Sequence, residues 1–163
     1  MLACWATLVG AAPGPYQIKP LGLFNSDYVS PNGTVDSRVV SANRNGRATG
    51  YSLVYHGYTD PIGQTSWLYD GTQIVPMPGL TGGQYAFEGH QPKVICDSGQ
   101  VLGESTWYSN FNLNYSHGLW LYDYGVTTRL GLFDAEHTAS GGVQNSGGAL
   151  INAIGQVTGY SVR

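Results

Sequence analysis

The stretch NRNGRATGYS, residues 43–52, decides the fold, because its pattern of glycines and serine occurs three times in the chain. The other two copies are CDSGQVLGES at 96–105 and NAIGQVTGYS at 152–161. Each copy has glycine at its fourth and eighth positions and serine at its tenth. The fourth-position glycine advances from Gly46 to Gly99 to Gly155, in steps of 53 and 56 residues. A period of this length is typical of repeat architectures, in which neighbouring copies stack to bury a common core.

Two other matches keep a constant spacing. The tetrapeptide Trp-Leu-Tyr-Asp begins at Trp67 and again at Trp120, in each case 15 residues after the serine that ends the preceding motif. The tetrapeptide LGLF at 21–24 recurs at 130–133, and in both copies its glycine lies 24 residues before the next turn glycine (22 to 46 and 131 to 155). Agreement in several independent places indicates that the chain arose by duplication.

One repeat unit is predicted to fold as two hairpins, which makes four antiparallel strands. Asn-Arg-Asn-Gly and Asp-Ser-Gly are turn sequences, since glycine and asparagine accept the positive φ that tight hairpins need. Trp-Leu-Tyr fits a strand with Trp and Tyr on one face, and the aspartate after it is expected to close a turn by accepting backbone N–H groups. The structural repeat positions are then Gly46, Gly99, Gly155, Trp67, Asp70, Trp120 and Asp123.

The order of the units predicts an all-β repeat domain. The chain divides into an N-terminal half-unit (1–36), two whole units (37–92 and 93–147) and a C-terminal half-unit (148–163). In a closed β-propeller the two halves would pair into one blade, which gives about three four-stranded units. Three is below the four to eight blades typical of propellers. A three-fold trefoil or prism, a piece of a longer array and a self-associating ring therefore remain alternatives.

Composition excludes several classes of function. The 163 residues suffice for one domain, and with 24 glycines, 12 tyrosines and a net charge of −3 they suit short strands and turns. The seven basic residues are scattered, which argues against a nucleic-acid partner. No helical period of apolar residues and no apolar run of membrane-spanning length is present. Low charge with abundant glycine and tyrosine favours an extracellular or cell-surface location.

The N-terminus and the cysteines leave two questions open. The segment from Leu2 to Ala12 is apolar but has no basic residue before it, so it fits either the remnant of a secretory signal or a buried strand. Cys4 and Cys96 define neither a disulfide framework nor a metal site, and we interpret them as two unrelated thiols.

Three stretches are distinctive: Asn152–Val157 in the motif N-x-x-G-Q-V-x-G-Y-S, Trp120–Asp123 and Asp134–Thr138. Through these stretches, residues 16–163 resemble the HAF-type extracellular repeat proteins of environmental bacteria. The resemblance implies propeller-like β-structure and no enzymatic activity. The chain departs from the family pattern at Cys96, where the turn asparagine is expected, and at 11–14, where AAPG stands in place of Trp-Leu-Tyr-Asp.

The segment DAEHT at 134–138 is the most chemical-looking cluster. Asp134, Glu136 and His137 are residue types that bind metals or act as acid and base. In a strand, His137 would point away from the two carboxylates, which is poor geometry for a chelate. The segment also occurs once, since TGGQY at 81–85 is its counterpart in the central unit. A polar loop that closes a strand is therefore the favoured interpretation, and no metal, cofactor or catalytic residue is predicted.

The candidate binding regions are two loops that occupy the same position in their units, 55–63 and 107–118. Aromatic rings beside asparagine amides are suited to carbohydrate or peptide contacts, although aromatic strands that continue the sheet would have the same composition. The candidate binding residues are Tyr55, Tyr58, Trp107, Tyr108, Phe111 and Tyr115.

Three functions follow from these observations. The leading one is a non-catalytic extracellular β-repeat module that acts as a structural or adhesive scaffold and associates with other copies of the repeat. The second is a carbohydrate-binding module that uses the aromatic loops, with a polysaccharide as partner. The third is an enzyme with a single-copy site at Asp134, Glu136 and His137.

Overall fold

The computed structural model describes residues 19–80, 89–108, 115–139 and 143–163. Within these ranges the only helices are two single turns of 3₁₀ helix, and the rest of the regular structure is β-strand. The predicted all-β class is therefore confirmed. The strands are β1 (Ser37–Ala42), β2 (Ala48–Val54), β3 (Gly63–Tyr69), β4 (Ile74–Met77), β5 (Gly89–Ile95), β6 (Val101–Tyr108), β7 (Tyr115–Asp123), β8 (Val126–Leu130), β9 (Ser146–Ile151) and β10 (Val157–Ser161).

The strands form two antiparallel meanders and one hairpin. β1 to β4 pair in chain order, β5 to β8 repeat that order, and β9 pairs with β10. The first hairpin of each set turns at Gly46, Gly99 or Gly155, whose φ angles are 75°, 96° and 86°. A side chain at these positions would be strained, because the left-handed region favours glycine.

The described strands do not form a closed ring. The two meanders join into one eight-stranded sheet through β3 and β5, which run parallel and share a single residue pair, Gln64 with Gly89. β5 also packs against β1 and β2, so the sheet folds over itself in a sandwich-like way. β9 and β10 form a separate two-stranded sheet, so the described sheets are not closed or propeller-like, and the predicted arrangement of the units as a propeller, trefoil or prism stays a prediction.

The strands that open the later units begin a few residues before the predicted unit starts. β5 begins at Gly89, inside the unit predicted to end at 92, and β9 begins at Ser146, before the half-unit predicted to start at 148. The sequence assignment followed apolar residues, whereas Gly89 and His90 join the strand through backbone pairing with β6.

The core is built around the two tryptophans of the repeated tetrapeptide. Trp67 on β3 and Trp120 on β7 are both fully buried. Each lies opposite a glycine of the neighbouring strand, Gly50 and Gly103 respectively. A Cβ at either glycine would collide with the indole ring. The eighth-position glycine of the motif therefore provides the space that the tryptophan occupies.

Candidate functional site

In the described part of the chain, successive units are joined by a hydrogen bond to a serine that recurs in each unit. The hydroxyl oxygens of Ser52, Ser105 and Ser161 accept the backbone N–H groups of Leu23, Leu80 and Leu132 at 3.0, 3.2 and 2.9 Å. Each leucine belongs to the Gly-Leu sequence of the preceding unit. We call Ser52, Ser105 and Ser161 the junction serines. Because the same bond occurs three times, it is a property of the repeat and not of one unit.

A polar residue on the first strand of each unit completes the junction. Ser37, His90 and Ser146 lie directly opposite the three junction serines. The Ser37 hydroxyl is 2.9 Å from that of Ser52, and Nδ1 of His90 is 2.8 Å from the Ser105 hydroxyl. The Ser146 hydroxyl donates to the carbonyl of Leu130 at 3.1 Å. Both sides of the junction are thus hydrogen-bonded.

The glycine of each Gly-Leu sequence makes this close approach possible. At Gly22 and Gly131 the φ angles are 148° and 131°, in the region that favours glycine. A Cβ at Gly22, Gly79 or Gly131 would overlap the side chain of the first-strand residue that it faces, which is Ser37, His90 or Ser146. The LGLF signature therefore marks a contact between units.

The hairpin turns of successive units also touch. Asn45 Nδ2 donates to the carbonyl of Asp97 at 2.8 Å, and Arg44 pairs with the Asp97 carboxylate at 2.8 Å. Arg47 lies against Gly99, and Gln100, the equivalent residue one unit later, lies against Gly155. The turns therefore stack in one direction with the same offset at both junctions.

The two aspartates of the tetrapeptide have different roles. Asp70 Oδ1 accepts the backbone N–H groups of Thr72 and Gln73 at 2.8 and 2.9 Å and the Thr72 hydroxyl at 2.7 Å. These bonds lower the pKa of Asp70 from 3.8 to about 2, and the bond from the Gln73 backbone N–H contributes most.

Asp123 does not cap its turn in this way, contrary to the sequence prediction. It is the last residue of β7 and pairs with Val126 across a two-residue turn, Tyr124-Gly125, with φ angles of 44° and 96°. Its Oδ2 accepts from Nε2 of Gln100 at 3.0 Å. The physical reason is the shorter turn, which replaces the four-residue loop after Tyr69.

The Asp134–His137 cluster forms a capped 3₁₀ turn, Ala135–His137, and not part of a strand. Asp134 Oδ1 accepts the N–H groups of Glu136 and His137 at 3.0 and 3.1 Å and lies 2.6 Å from Nδ1 of His137. The hydrogen bond from His137 lowers the pKa of Asp134. Glu136 pairs with Arg163 at 2.9 Å. Among the described residues no three potential metal ligands converge.

The sequence DAEHT occurs once, but the capped turn that it forms occurs twice among the described residues. After the first LGLF sequence, Asn25 caps an equivalent 3₁₀ turn, Ser26–Tyr28, by accepting the N–H of Asp27 at 3.2 Å. Asn25 directly follows the first LGLF sequence, as Asp134 directly follows the second. The turn is thus a repeated structural element whose capping residue is Asn in one copy and Asp in the other.

The candidate aromatic residues that the structure describes lie in two places, the segment after β2 and the adjoining ends of β6 and β7. Tyr55 is 4% exposed, so its ring is not available at the surface, whereas Tyr58 is 62% exposed. Trp107 and Tyr108 end β6, and Tyr115 begins β7 as the backbone partner of Tyr108. Phe111, like Cys4 and the segment from Leu2 to Ala12, lies outside the described residues. Cys96 is a buried free thiol.

Comparison of the chain with known protein families, with curated proteins and with solved structures finds no match. The described helical turns include none long and apolar enough to cross a membrane. The protein is therefore characterised by its own geometry, as an all-β chain with a threefold-repeated junction between serine and the Gly-Leu backbone.

Proposed function

We propose that the chain is a non-catalytic β-repeat module that acts as a structural or adhesive scaffold outside the cell. The observation that carries the proposal is the hydrogen bond from Leu23, Leu80 or Leu132 to its junction serine. A contact that recurs in every unit connects units, whereas a catalyst needs only one set of reactive groups. The contact that recurs at all three junctions thus serves to stack the units.

The free edge of β10 supports self-association. Within the described residues β10 pairs only with β9, although its counterparts β2 and β6 each have a strand on both sides. Exposed strand edges are templates for pairing with further strands. Since the junction geometry repeats, an added unit would meet the same contacts that already join the first two.

The extracellular location and the propeller-like arrangement belong to the same proposal. The low charge, the abundant glycine and tyrosine and the resemblance to HAF-type bacterial repeats support the location. Each four-stranded meander has the strand order of a propeller blade. Further units, from other copies or a longer array, would then be needed to close a ring.

The test is the native mass of the full chain, measured by sedimentation velocity over a series of concentrations. We expect assemblies larger than one chain that grow with concentration. Thr158→Lys, which places a charge on the exposed face of β10, should reduce this association, because edge lysines oppose strand pairing. Tyr124→Lys, in an exposed turn, is the matched control. A folded monomer at every concentration would refute self-association.

A further inference from the structure

The C-terminal hairpin borders an apolar cavity of about 360 Å³. Its walls come from the end of the second meander and from β10, and among the described residues they include Leu119, Leu130, Leu132, Val157, Gly159 and Tyr160. We call it the Gly159 cavity.

The Gly159 cavity occupies a place that an indole ring fills in the other two units. Gly159 is the eighth residue of its motif, as Gly50 and Gly103 are of theirs. Gly50 is bounded by the carbonyl of Arg38 and the ring of Trp67. Gly159 is bounded by the equivalent carbonyl, that of Gly147, and by Leu119. No tryptophan lies over it among the residues that the structure describes.

The surroundings of the Trp120 indole also show which residues of the preceding unit help to form a tryptophan site. Trp120 belongs to a buried cluster with Met77, Val101 and Tyr122, against which Leu80 packs. Met77 ends β4, and Leu80 belongs to the Gly-Leu sequence of the first unit. One unit later, Leu130 and Leu132 of the second unit line the Gly159 cavity instead. The cavity thus has both walls of the tryptophan site.

Residues of the third unit are less buried than the residues at equivalent positions of the second unit. Val101 is fully buried, whereas its counterpart Val157 is half-buried. Ser105 is likewise fully buried, and its counterpart Ser161 is half-buried. Tyr160, Leu150 and Leu132 are 67, 68 and 54% exposed. An apolar patch of this kind beside a free strand edge marks a site for an interacting chain.

We infer that the Gly159 cavity binds a β-strand of the Trp-Leu-Tyr-Asp type that belongs to a further repeat unit on a partner polypeptide. The inference rests on the proposed scaffold function and names the element that joins one chain to the next. The strand adds antiparallel to β10, with its tryptophan opposite Gly159, as Trp120 is opposite Gly103. Backbone hydrogen bonds along β10 supply affinity, and the indole in the cavity selects the strand.

The experiment uses the full chain and a labelled synthetic peptide with the sequence of residues 116–132, SHGLWLYDYGVTTRLGL. Fluorescence anisotropy measures binding, and the control peptide has alanine in place of its single tryptophan. We expect the control to bind about 100-fold more weakly, since loss of a buried tryptophan removes a large apolar contact. Backbone amide chemical shifts of Val157 and Gly159 should move on addition of the first peptide only.

Two surface variants test the location without altering the core. Leu132→Arg places a charge at the cavity wall and should abolish binding. Val126→Arg, at a similarly exposed residue of the same region, should leave binding unchanged. Equal binding of both peptides, or equal effects of both variants, would overturn the inference. Binding that appears only in a Trp5→Ala variant would do so as well, because the chain would then supply its own tryptophan.

The inference and the proposed function fail in different ways. If the chain self-associates in the sedimentation experiment but does not bind the peptide, the scaffold proposal stands and the strand-binding site is refuted. If the chain remains a monomer yet binds the peptide with the expected tryptophan dependence, the site is supported and self-association is refuted.

Discussion

Asn43 donates a hydrogen bond from Nδ2 to the carbonyl of Cys96 at 3.0 Å, and the two residues hold the same position in consecutive units. Asn43 also caps its own turn, because its Oδ1 accepts the N–H groups of Asn45 and Arg47, both at 3.0 Å. Asn152, the third residue of the series, caps its turn in the same way. A thiol provides no such capping acceptor, so Cys96 breaks the series.

Cys96→Asn is therefore expected to stabilise the protein. The new side chain would accept two backbone N–H groups in its turn and donate to the carbonyl of Asn152, as Asn43 does one unit earlier. We expect a gain of about 1–2 kcal/mol in the free energy of unfolding, since a typical net hydrogen bond contributes about 1 kcal/mol. Urea unfolding measures it, and Cys96→Ser, which has a short hydroxyl, is the control. A Cys96→Asn protein less stable than Cys96→Ser would contradict the proposed equivalence.

Ser105→Ala tests the junction serine. The substitution removes the acceptor of the Leu80 N–H and the partner of His90 Nδ1 at a fully buried site. Leaving a buried donor unsatisfied costs about 1–3 kcal/mol. Thermal and urea unfolding should show that loss, while Thr128→Ala, at an exposed position of β8, should change stability by less than about 0.5 kcal/mol. Equal effects of the two substitutions would mean that the junction bond does not stabilise the fold.

Gly103→Ala tests the space provided for the indole. An alanine Cβ at this position collides with the ring of Trp120, and overpacking of a core typically costs about 1–3 kcal/mol. Gly89→Ala is a matched control in the same hairpin, because its Cβ would meet only Gln64 Nε2 at 3.7 Å, an ordinary contact. Circular dichroism during thermal unfolding compares the two. A Gly103→Ala protein as stable as Gly89→Ala would show that the glycine is not needed beneath the tryptophan.

The local parts of this fold could be predicted from sequence, and the contacts between units could not. The turn at Gly46 follows from the chemistry of Asn-Arg-Asn-Gly, which acts within a few residues. The hydrogen bond between Ser52 and Leu23 joins residues 29 apart in the chain. Its donor is a backbone N–H, which every residue except proline has, so the sequence does not reveal it. His90 occupies the position that Ser37 and Ser146 hold in the other units, and a histidine in place of a serine hides this equivalence in the sequence. The open sheet was also unpredictable, because repeat spacing does not determine how many units a ring requires.

The aromatic loops give a prediction that separates the scaffold from a carbohydrate-binding module. Of the two candidate rings whose side chains the structure describes, Tyr55 is buried and Tyr58 is well exposed. If the scaffold proposal holds, Tyr58→Ala and Trp107→Ala will fold normally and will not change retention of the chain on insoluble polysaccharides. Pull-down on a panel of such polysaccharides measures this, with circular dichroism as the folding control. Retention of the parent chain that both substitutions reduce would favour the carbohydrate-binding function instead.

Asp70 gives the loop after Tyr69 a stability that depends on pH. Its folded-state pKa of about 2 is below the ordinary value of 3.8, so its contribution is present above pH 3.8 and is lost as the pH falls through 2. The parent chain should therefore exceed Asp70→Asn in stability at neutral pH, and the difference should shrink between about pH 4 and pH 2. Urea unfolding at several pH values measures it. Thr72→Ala, which removes one donor to the carboxylate, should narrow the same difference, because the charged form then has one hydrogen bond fewer. A difference that is constant with pH would show that the carboxylate acts only through its shape.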